Sequence, residues 1–244
     1  MGPATHRTGH PPLPILYRDD RLVAIHKPPG VLVHRTGLAS RDERFLLQEL
    51  RDQLGCRVYP LHRLDRATYG VLLFALSPET AAALGPAFGS GGVHKVYWAV
   101  VRGWTQPEGT IDHPVRDRDT RGAPRAAQTR FRRLAQVELP VAVDRYPSSR
   151  YCLVEARPQS GRRHQLRAHF KHIHHPIIGD TSYGNGRHNR FFRERLGMGR
   201  LLLHARALGF RHPMGGAWVE IDCPPDAAWQ ALMGRLGWGS GVGD

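Results

Sequence analysis

The strand-like segments of this chain come largely in neighbouring pairs joined by turns or short connections, and no regular strand–helix alternation runs through it. Residues 14–17 and 22–26 flank the polar turn Arg18-Asp19-Asp20-Arg21, and residues 201–210 and 218–222 flank His212-Pro213-Met214-Gly215-Gly216. More strand signal follows at residues 129–139 and 150–157. Strands joined this closely run antiparallel, because a parallel pair needs a crossover of about a dozen residues or more. The pattern therefore predicts an α+β fold with a mixed, mostly antiparallel central sheet flanked by helices.

Helical signals lie between the strands. Ser40-Arg41-Asp42-Glu43 has capping-box spacing, and Phe45, Leu46, Leu47, Leu50 and Leu54 then recur as one face that stops at Gly55. Ser77-Pro78-Glu79 opens a helix expected to run through Ala87. Another opens near Gly161, with Leu166, Phe170 and Ile173 on its buried side, and residues 226–236 turn Trp229, Leu232, Met233 and Leu236 inward. Residues 31–34, 70–76 and 94–101 read as extended segments, and the charged stretch 112–128, with its Pro and Gly, as a mobile loop or a connection between lobes. The 244 residues suit a single domain over 14–236, with a disordered leader at 1–13 and a flexible tail at 237–244.

Charge narrows the partner. Thirty-five Lys+Arg stand against 21 Asp+Glu, a formal +14 with a pI near 10.7, which predicts attraction to a polyanion and to nucleic acid first. Only Lys27, Lys95 and Lys171 are lysines, so 32 of the cations are arginines. A guanidinium presents a planar donor fork to phosphate and stacks on bases. A coding bias that replaces lysine with arginine would give the same composition, so particular positions carry more weight than the total.

Other classes lose ground. Cys56, Cys152 and Cys223 are isolated, as expected in a reducing cytosol, and offer no zinc framework. The histidines at 164, 169, 172, 174 and 175 lack the His-x-x-x-His zincin spacing and a nearby cysteine, so no metal is expected. No Gly-rich nucleotide loop is present, and no apolar run approaches the roughly 18 residues of a membrane span.

The run His62-Arg63-Leu64-Asp65-Arg66 sets one carboxylate between two arginines, directly before the apolar stretch 70–76. A guanidinium within about 4 Å of Asp65 would contribute on the order of 4 kcal/mol at an effective dielectric near 20. Asp65 is thus expected to stay ionised at neutral pH, fit to act as nucleophile or base. The plain alternative is a solvated ion pair.

Residues 62–70 read H-R-L-D-R-A-T-Y-G, residues 95–97 read K-V-Y, and residues 160–169 read S-G-R-R-H-Q-L-R-A-H. Together these resemble the RluA-type pseudouridine synthases, whose marks are H-R-L-D-x-x-T-S-G, K-x-Y and T-G-R-x-H-Q-[IL]-R-x-H. The segments 15–30, 175–180 and 203–205 match as well, so the resemblance spans about residues 14–236. It is strongest toward members that modify a uridine in the T-arm stem of tRNA, at position 65, through residues 145–151, 172–189 and 229–238. Tyr69 stands where the family usually has Ser, and Ser160 where it often has Thr. About a dozen residues precede the first strand, so no N-terminal S4-type module is expected.

The resemblance implies the pseudouridine synthase fold with its catalytic cleft, and a cofactor-independent isomerase. Asp65 is then the reacting carboxylate, whether it attacks C1′, adds to the base or removes the 2′ proton. Arg167 is its pairing arginine, and Tyr97 stacks on the target base. Leu166 walls the uracil pocket, Arg63 fills the gap left by the extruded base, and His62, Arg66, Lys95, Arg162, Arg163, His164 and Gln165 contact RNA. The expected partner is RNA, most naturally tRNA, in the cytoplasm, with no membrane and no obligate protein partner. Three alternatives stand beside this: the same chemistry on ribosomal RNA or another tRNA position, a non-catalytic RNA-binding module, and a metallohydrolase built on the histidines.

Overall fold

The computed structural model describes residues 11–33, 45–117 and 122–239; the capping box expected at 40–43 lies outside them. Where the sequence suggested one domain, the chain divides into two compact units, one formed by the described residues up to 93 with 207–223, the other by 94–206 with those from 224 onward.

In the first unit, strands β1 (Ile15–Arg18) and β2 (Leu22–Lys27) pair antiparallel. Their turn is closed by the Asp19 carboxylate, which accepts the backbone N–H groups of Arg21 and Leu22, both at 2.7 Å. Asx chemistry of this kind is why Asp favours turns. Helix α1 (Leu46–Leu54) turns Leu46 and Leu50 inward and ends on Gly55 in the left-handed region, φ 69°. Strand β3 (Tyr59–Pro60) and β2 both pair with β4 (Tyr69–Ala75), whose seven residues are all buried. Each large apolar side chain buried there contributes about 1.5–3 kcal/mol. Helix α2 (Pro78–Ser90) begins where Ser77 accepts the N–H of Thr80 and runs three residues past its expected end, stopping at Gly91, φ 86°.

The second unit is built on strands β5 (His94–Arg102), β6 (Glu108–Asp112), β7 (Gln128–Leu139) and β8 (Ser149–Pro158). Their order is β5-β8-β7-β6 and every neighbour is antiparallel. Helices α3 (Gln165–His172) and α4 (Gly186–Arg195) follow, and α4 has no counterpart in the sequence reading. Strand β9 (Leu203–Arg211) crosses the boundary into the first unit, where it pairs with β10 (Trp218–Asp222). Helix α5 (Ala227–Arg235), capped by Asp226, returns to the second, with Trp229, Leu232 and Met233 buried as expected.

Register decides which side chains share a face. Tyr97 lies opposite Ala156 and Ala156 opposite Phe131, so these three point the same way. Phe131 meets Phe170 of α3 edge-on at 5.9 Å, which puts Tyr97 on the face that α3 covers.

Three stretches expected to lack order hold packed or hydrogen-bonded contacts. Leu13, placed in the leader, is buried and exchanges two hydrogen bonds with the Gln53 side chain, at 2.8 and 3.0 Å. Trp238, placed in the tail, is buried, and its N–H reaches the Met233 carbonyl at 2.9 Å. The arms of the 112–128 loop are tied together, Val115 and Arg125 exchanging both backbone hydrogen bonds at 2.9 Å.

Candidate active site

Asp65 sits on the loop between β3 and β4, and that loop is pinned from below by Lys27. The lysine is fully buried and donates to the carbonyls of Pro28 (3.0 Å), Arg66 (3.0 Å) and Thr68 (2.8 Å). Gly30 and Arg66 close the same knot: the Gly30 N–H donates to the Arg66 carbonyl at 2.9 Å, and Arg66 Nε returns to the Gly30 carbonyl at 3.0 Å. Burial pushes the Lys27 ammonium down to about 7; the Asp65 charge works against that fall, and Arg66 adds to it. Lys27 is thus a cation acting on Asp65 that the sequence reading missed. Its signal was a lysine at a strand end, before Pro28-Pro29-Gly30, in a chain with only three.

The flanking residues divide in role. Arg63 is exposed, in keeping with contact to a ligand. His62, expected on RNA, is half-buried: its Nε2 accepts the Leu73 N–H at 3.1 Å and its ring stacks on Phe88 at 4.9 Å. Tyr69, the departure from the family pattern, is wholly buried, its ring 6.1 Å from that of His26.

In the second unit, Lys95 and Tyr97 lie two residues apart on β5, on one face and half-buried. Lys95 Nζ is 3.4 Å from the Ser160 carbonyl, and burial lowers its pKa. Arg162 Nε holds the Ala126 carbonyl at 3.2 Å, and Arg163 pairs with Asp117 at 3.3 Å. His164 adopts the left-handed region, φ 55°, immediately before α3, with Nδ1 3.4 Å from the Tyr183 hydroxyl.

After that reversal at His164, Gln165, which the resemblance places among the RNA contacts, lies buried against the loop. Its Oε1 accepts from Ser160 Oγ (2.7 Å) and the Arg162 N–H (3.0 Å), while Nε2 donates to the Gln128 carbonyl (2.9 Å) and Thr129 Oγ1 (3.1 Å). Gln165 therefore locks the loop to β7. Leu166 is buried, as the wall of a pocket requires.

Arg167, which the resemblance pairs with Asp65, also makes a two-point pair with Asp180 in its own unit: Nε to Oδ2 at 2.7 Å and Nη2 to Oδ1 at 2.9 Å. Both are buried, and Tyr183 lies under the guanidinium at 5.2 Å. Asp180 also accepts the N–H groups of Ser182 (2.9 Å) and Tyr183 (2.8 Å). Burial alone would raise the Asp180 carboxyl, but the Arg167 hydrogen bonds and charge prevail and hold it below its ordinary value. The chain passes so close here that a Cβ on Gly184 would stand 2.2 Å from the Asp180 carbonyl oxygen.

The histidines have local tasks. His169 lies between Thr129 Oγ1 and the His113 carbonyl, both at 2.9 Å, and His113 stacks on His172 at 3.6 Å. His175 Nδ1 lies 2.8 Å from the Arg102 carbonyl oxygen. Among the described residues no three His, Cys, Asp or Glu side chains gather as a metal-ligand set.

A chain this basic, with a buried lysine pinning the loop that carries its aspartate and a strand tyrosine on the face that an arginine-bearing helix covers, is suited to chemistry on a nucleic acid. The chain belongs to the RNA pseudouridylate synthase family, which it matches over residues 21–172. That span holds Asp65, Tyr97 and Arg167. The protein is 45% identical over 235 residues to tRNA pseudouridine synthase C of Vibrio cholerae serotype O1, covering 93% of this chain and 96% of the relative. It is 48% identical over 235 residues to tRNA pseudouridine synthase C of Pectobacterium carotovorum, where it covers 93% of this chain but 62% of that longer protein. Among solved structures it is similar to human RNA Pseudouridylate Synthase Domain Containing 4 (TM-score 0.69, 26% identity, 92% of this chain and 93% of that one). Human RNA Pseudouridylate Synthase Domain Containing 1 is comparable (TM-score 0.67, 27% identity, 93% and 86%). No described helix is long and apolar enough to cross a membrane.

Proposed function

We propose that this protein converts uridine to pseudouridine in tRNA, at position 65 of the T-arm stem, in the cytoplasm and without an obligate protein partner. The observation that carries the tRNA reading is the 45% identity to a tRNA pseudouridine synthase C across 96% of that relative. The Lys27-pinned loop that presents Asp65 supports the chemistry.

The reaction breaks the N1–C1′ bond, turns the uracil and joins C5 to C1′; N1 ends with a proton and the C5 hydrogen is lost to water. A stacked base in a stem is out of reach, so the nucleotide is extruded at a cost of a few kcal/mol. Asp65 supplies the carboxylate. Tyr97 stacks on the base, contributing about 1–3 kcal/mol without reading its identity. By the resemblance, Arg167 steadies the reacting carboxylate, Leu166 closes the apolar wall, and Arg63 replaces the extruded base. Arg66, Arg162, Arg163 and His164 meet the sugar–phosphate backbone, contacts that position without specifying.

Tritium release from tRNA carrying 5-tritiated uridine tests the assignment. Asp65→Asn is expected to lower kcat by about 10²–10⁴-fold or more; release at the unmutated rate would remove Asp65 from the chemistry. Pseudouridine mapping in cells lacking the gene is expected to show a gap at tRNA position 65. A gap in ribosomal RNA instead would overturn the target.

A further inference from the structure

We propose that helix α4 carries a second RNA contact, in which Arg190 and Arg193 hold one phosphodiester of the substrate at a preformed cleft on the second unit. The inference rests on the reading of the protein as a tRNA-modifying enzyme and extends it to a surface outside the catalytic residues.

Helix α4 reads G-R-H-N-R-F-F-R-E-R, with His188 and Phe192 turned inward. Arg190 and Arg193, three residues apart, share its solvent side. Cations are favoured near a helix C-terminus, yet the first turn of α4 carries no acid and the helix places Arg187 and Arg190 in its first half. Arg187 is compensated by an ion pair with Asp144. Among the described residues the Arg190 side chain makes no hydrogen bond or ion pair, and the Arg193 guanidinium pairs only with the exposed Glu194 carboxylate, at 3.2 Å. Two guanidinium forks thus stand together with little to neutralise them, an arrangement that favours an anion between them.

Between them lies a cleft of about 270 Å³, floored by Asp180, Gly184, Gly186 and Asn189. Its floor is rigid. Asn189 accepts the Gly179 N–H and donates to the Asp180 carbonyl, both at 2.8 Å, and the Gly184 N–H donates to the same carbonyl at 3.1 Å. Gly186 opens the mouth, because a Cβ there would meet nothing within 4 Å. Asp180 does not forbid an anion, since its carboxylate has no exposed surface and is already paired with Arg167 and two backbone N–H groups. A phosphodiester of the substrate fits better than an acidic peptide, because the chain carries +14 overall and its family acts on RNA.

The test uses the full chain and an unmodified tRNA transcript, followed by fluorescence anisotropy across about 50–200 mM salt. Arg190→Ala/Arg193→Ala is expected to weaken binding roughly tenfold at the low end and to reduce the slope of log K against log salt by about one, the signature of one lost phosphate contact. KM for tritium release should rise by a similar factor while kcat at saturating tRNA holds. Arg51→Ala/Arg57→Ala, on the first unit, removes the same charge elsewhere and should move both quantities much less. Equal losses in the two double variants, or unmutated affinity and slope in the α4 variant, would overturn the proposal. An unmutated protein that binds tRNA and never releases tritium would instead defeat the functional reading and leave the α4 contact standing on its binding data.

Discussion

Lys27 pins the loop that carries Asp65 and Asp180 pairs with Arg167, the two charged residues proposed for the chemistry, and each support can be tested alone. Lys27→Met takes the ammonium donor from the carbonyls of Pro28, Arg66 and Thr68, leaving Arg66 only its Gly30 N–H, and removes a charge that interacts with Asp65. A loss of about 3–5 kcal/mol in unfolding free energy is expected, measured by denaturant titration. A variant as stable as the parent would show that the knot does not depend on the ammonium. Asp180→Asn keeps an acceptor for Ser182 and Tyr183 but leaves Arg167 buried without its carboxylate, a comparable cost. Its kcat in the tritium assay should fall as well, and full activity in a folded variant would show that Arg167 works without this support. The strings holding Asp65, Tyr97 and Arg167 were legible because each is local in sequence. Their partners were not: Lys27 reaches carbonyls 39 and 41 residues away, and nothing in the chain before folding links Arg167 to a carboxylate 13 residues on. The inward turn of Gln165 was hidden for a related reason. A glutamine in a polar run reads as surface until the left-handed turn at His164 is known.

At the level of elements, α4 is fastened to β8 by aromatic contacts around a neutral histidine. The Tyr151 hydroxyl lies 2.8 Å from His188 Nδ1, and the Tyr151 ring meets Phe192 edge-on at 4.8 Å. Burial first, and the nearby Arg102 charge second, push His188 down to about 4 from an ordinary 6.5, against a smaller opposing pull from Asp144. The unfolded chain therefore takes up this proton near pH 6.5 and the folded chain only near pH 4. Between those values the unfolded state binds more protons, so stability falls as the pH drops through that window. His188→Asn keeps an acceptor for the Tyr151 hydroxyl and has no proton to gain, so its stability should fall less steeply from pH 6.5 to 4 in a chemical-denaturation series. Parallel profiles would assign the acid sensitivity elsewhere. Helix α4 escaped the sequence because only His188 and Phe192 of its ten residues are buried, too narrow a stripe among its arginines to show a period. By contrast α1 and α5 announced themselves through leucine and tryptophan faces and clear end signals, Gly55 and Asp226.

For the whole molecule, the antiparallel character of the sheets followed from closely spaced strands, whereas the two-unit division did not. Residues 207–223 complete the first unit after the chain has built most of the second, and no composition change marks that return. The overall charge poses a sharper question, since +14 arises either from a surface shaped for RNA or from a coding preference for arginine over lysine. The two explanations differ in their response to salt. A protein that holds phosphates releases the counterions condensed on them, and each contact adds about 0.7–0.9 to the slope of log affinity against log salt. If four or five phosphates are held at once, kcat/KM for tRNA should fall by roughly a hundredfold between about 50 and 200 mM salt, while kcat at saturating tRNA stays nearly level. A steady-state series across that range decides it. A flat kcat/KM would mean that the arginine surplus is compositional and that recognition rests on a few contacts around Asp65 and Tyr97. A steep fall would mean that the basic surface gathers the substrate before the loop presenting Asp65 engages it.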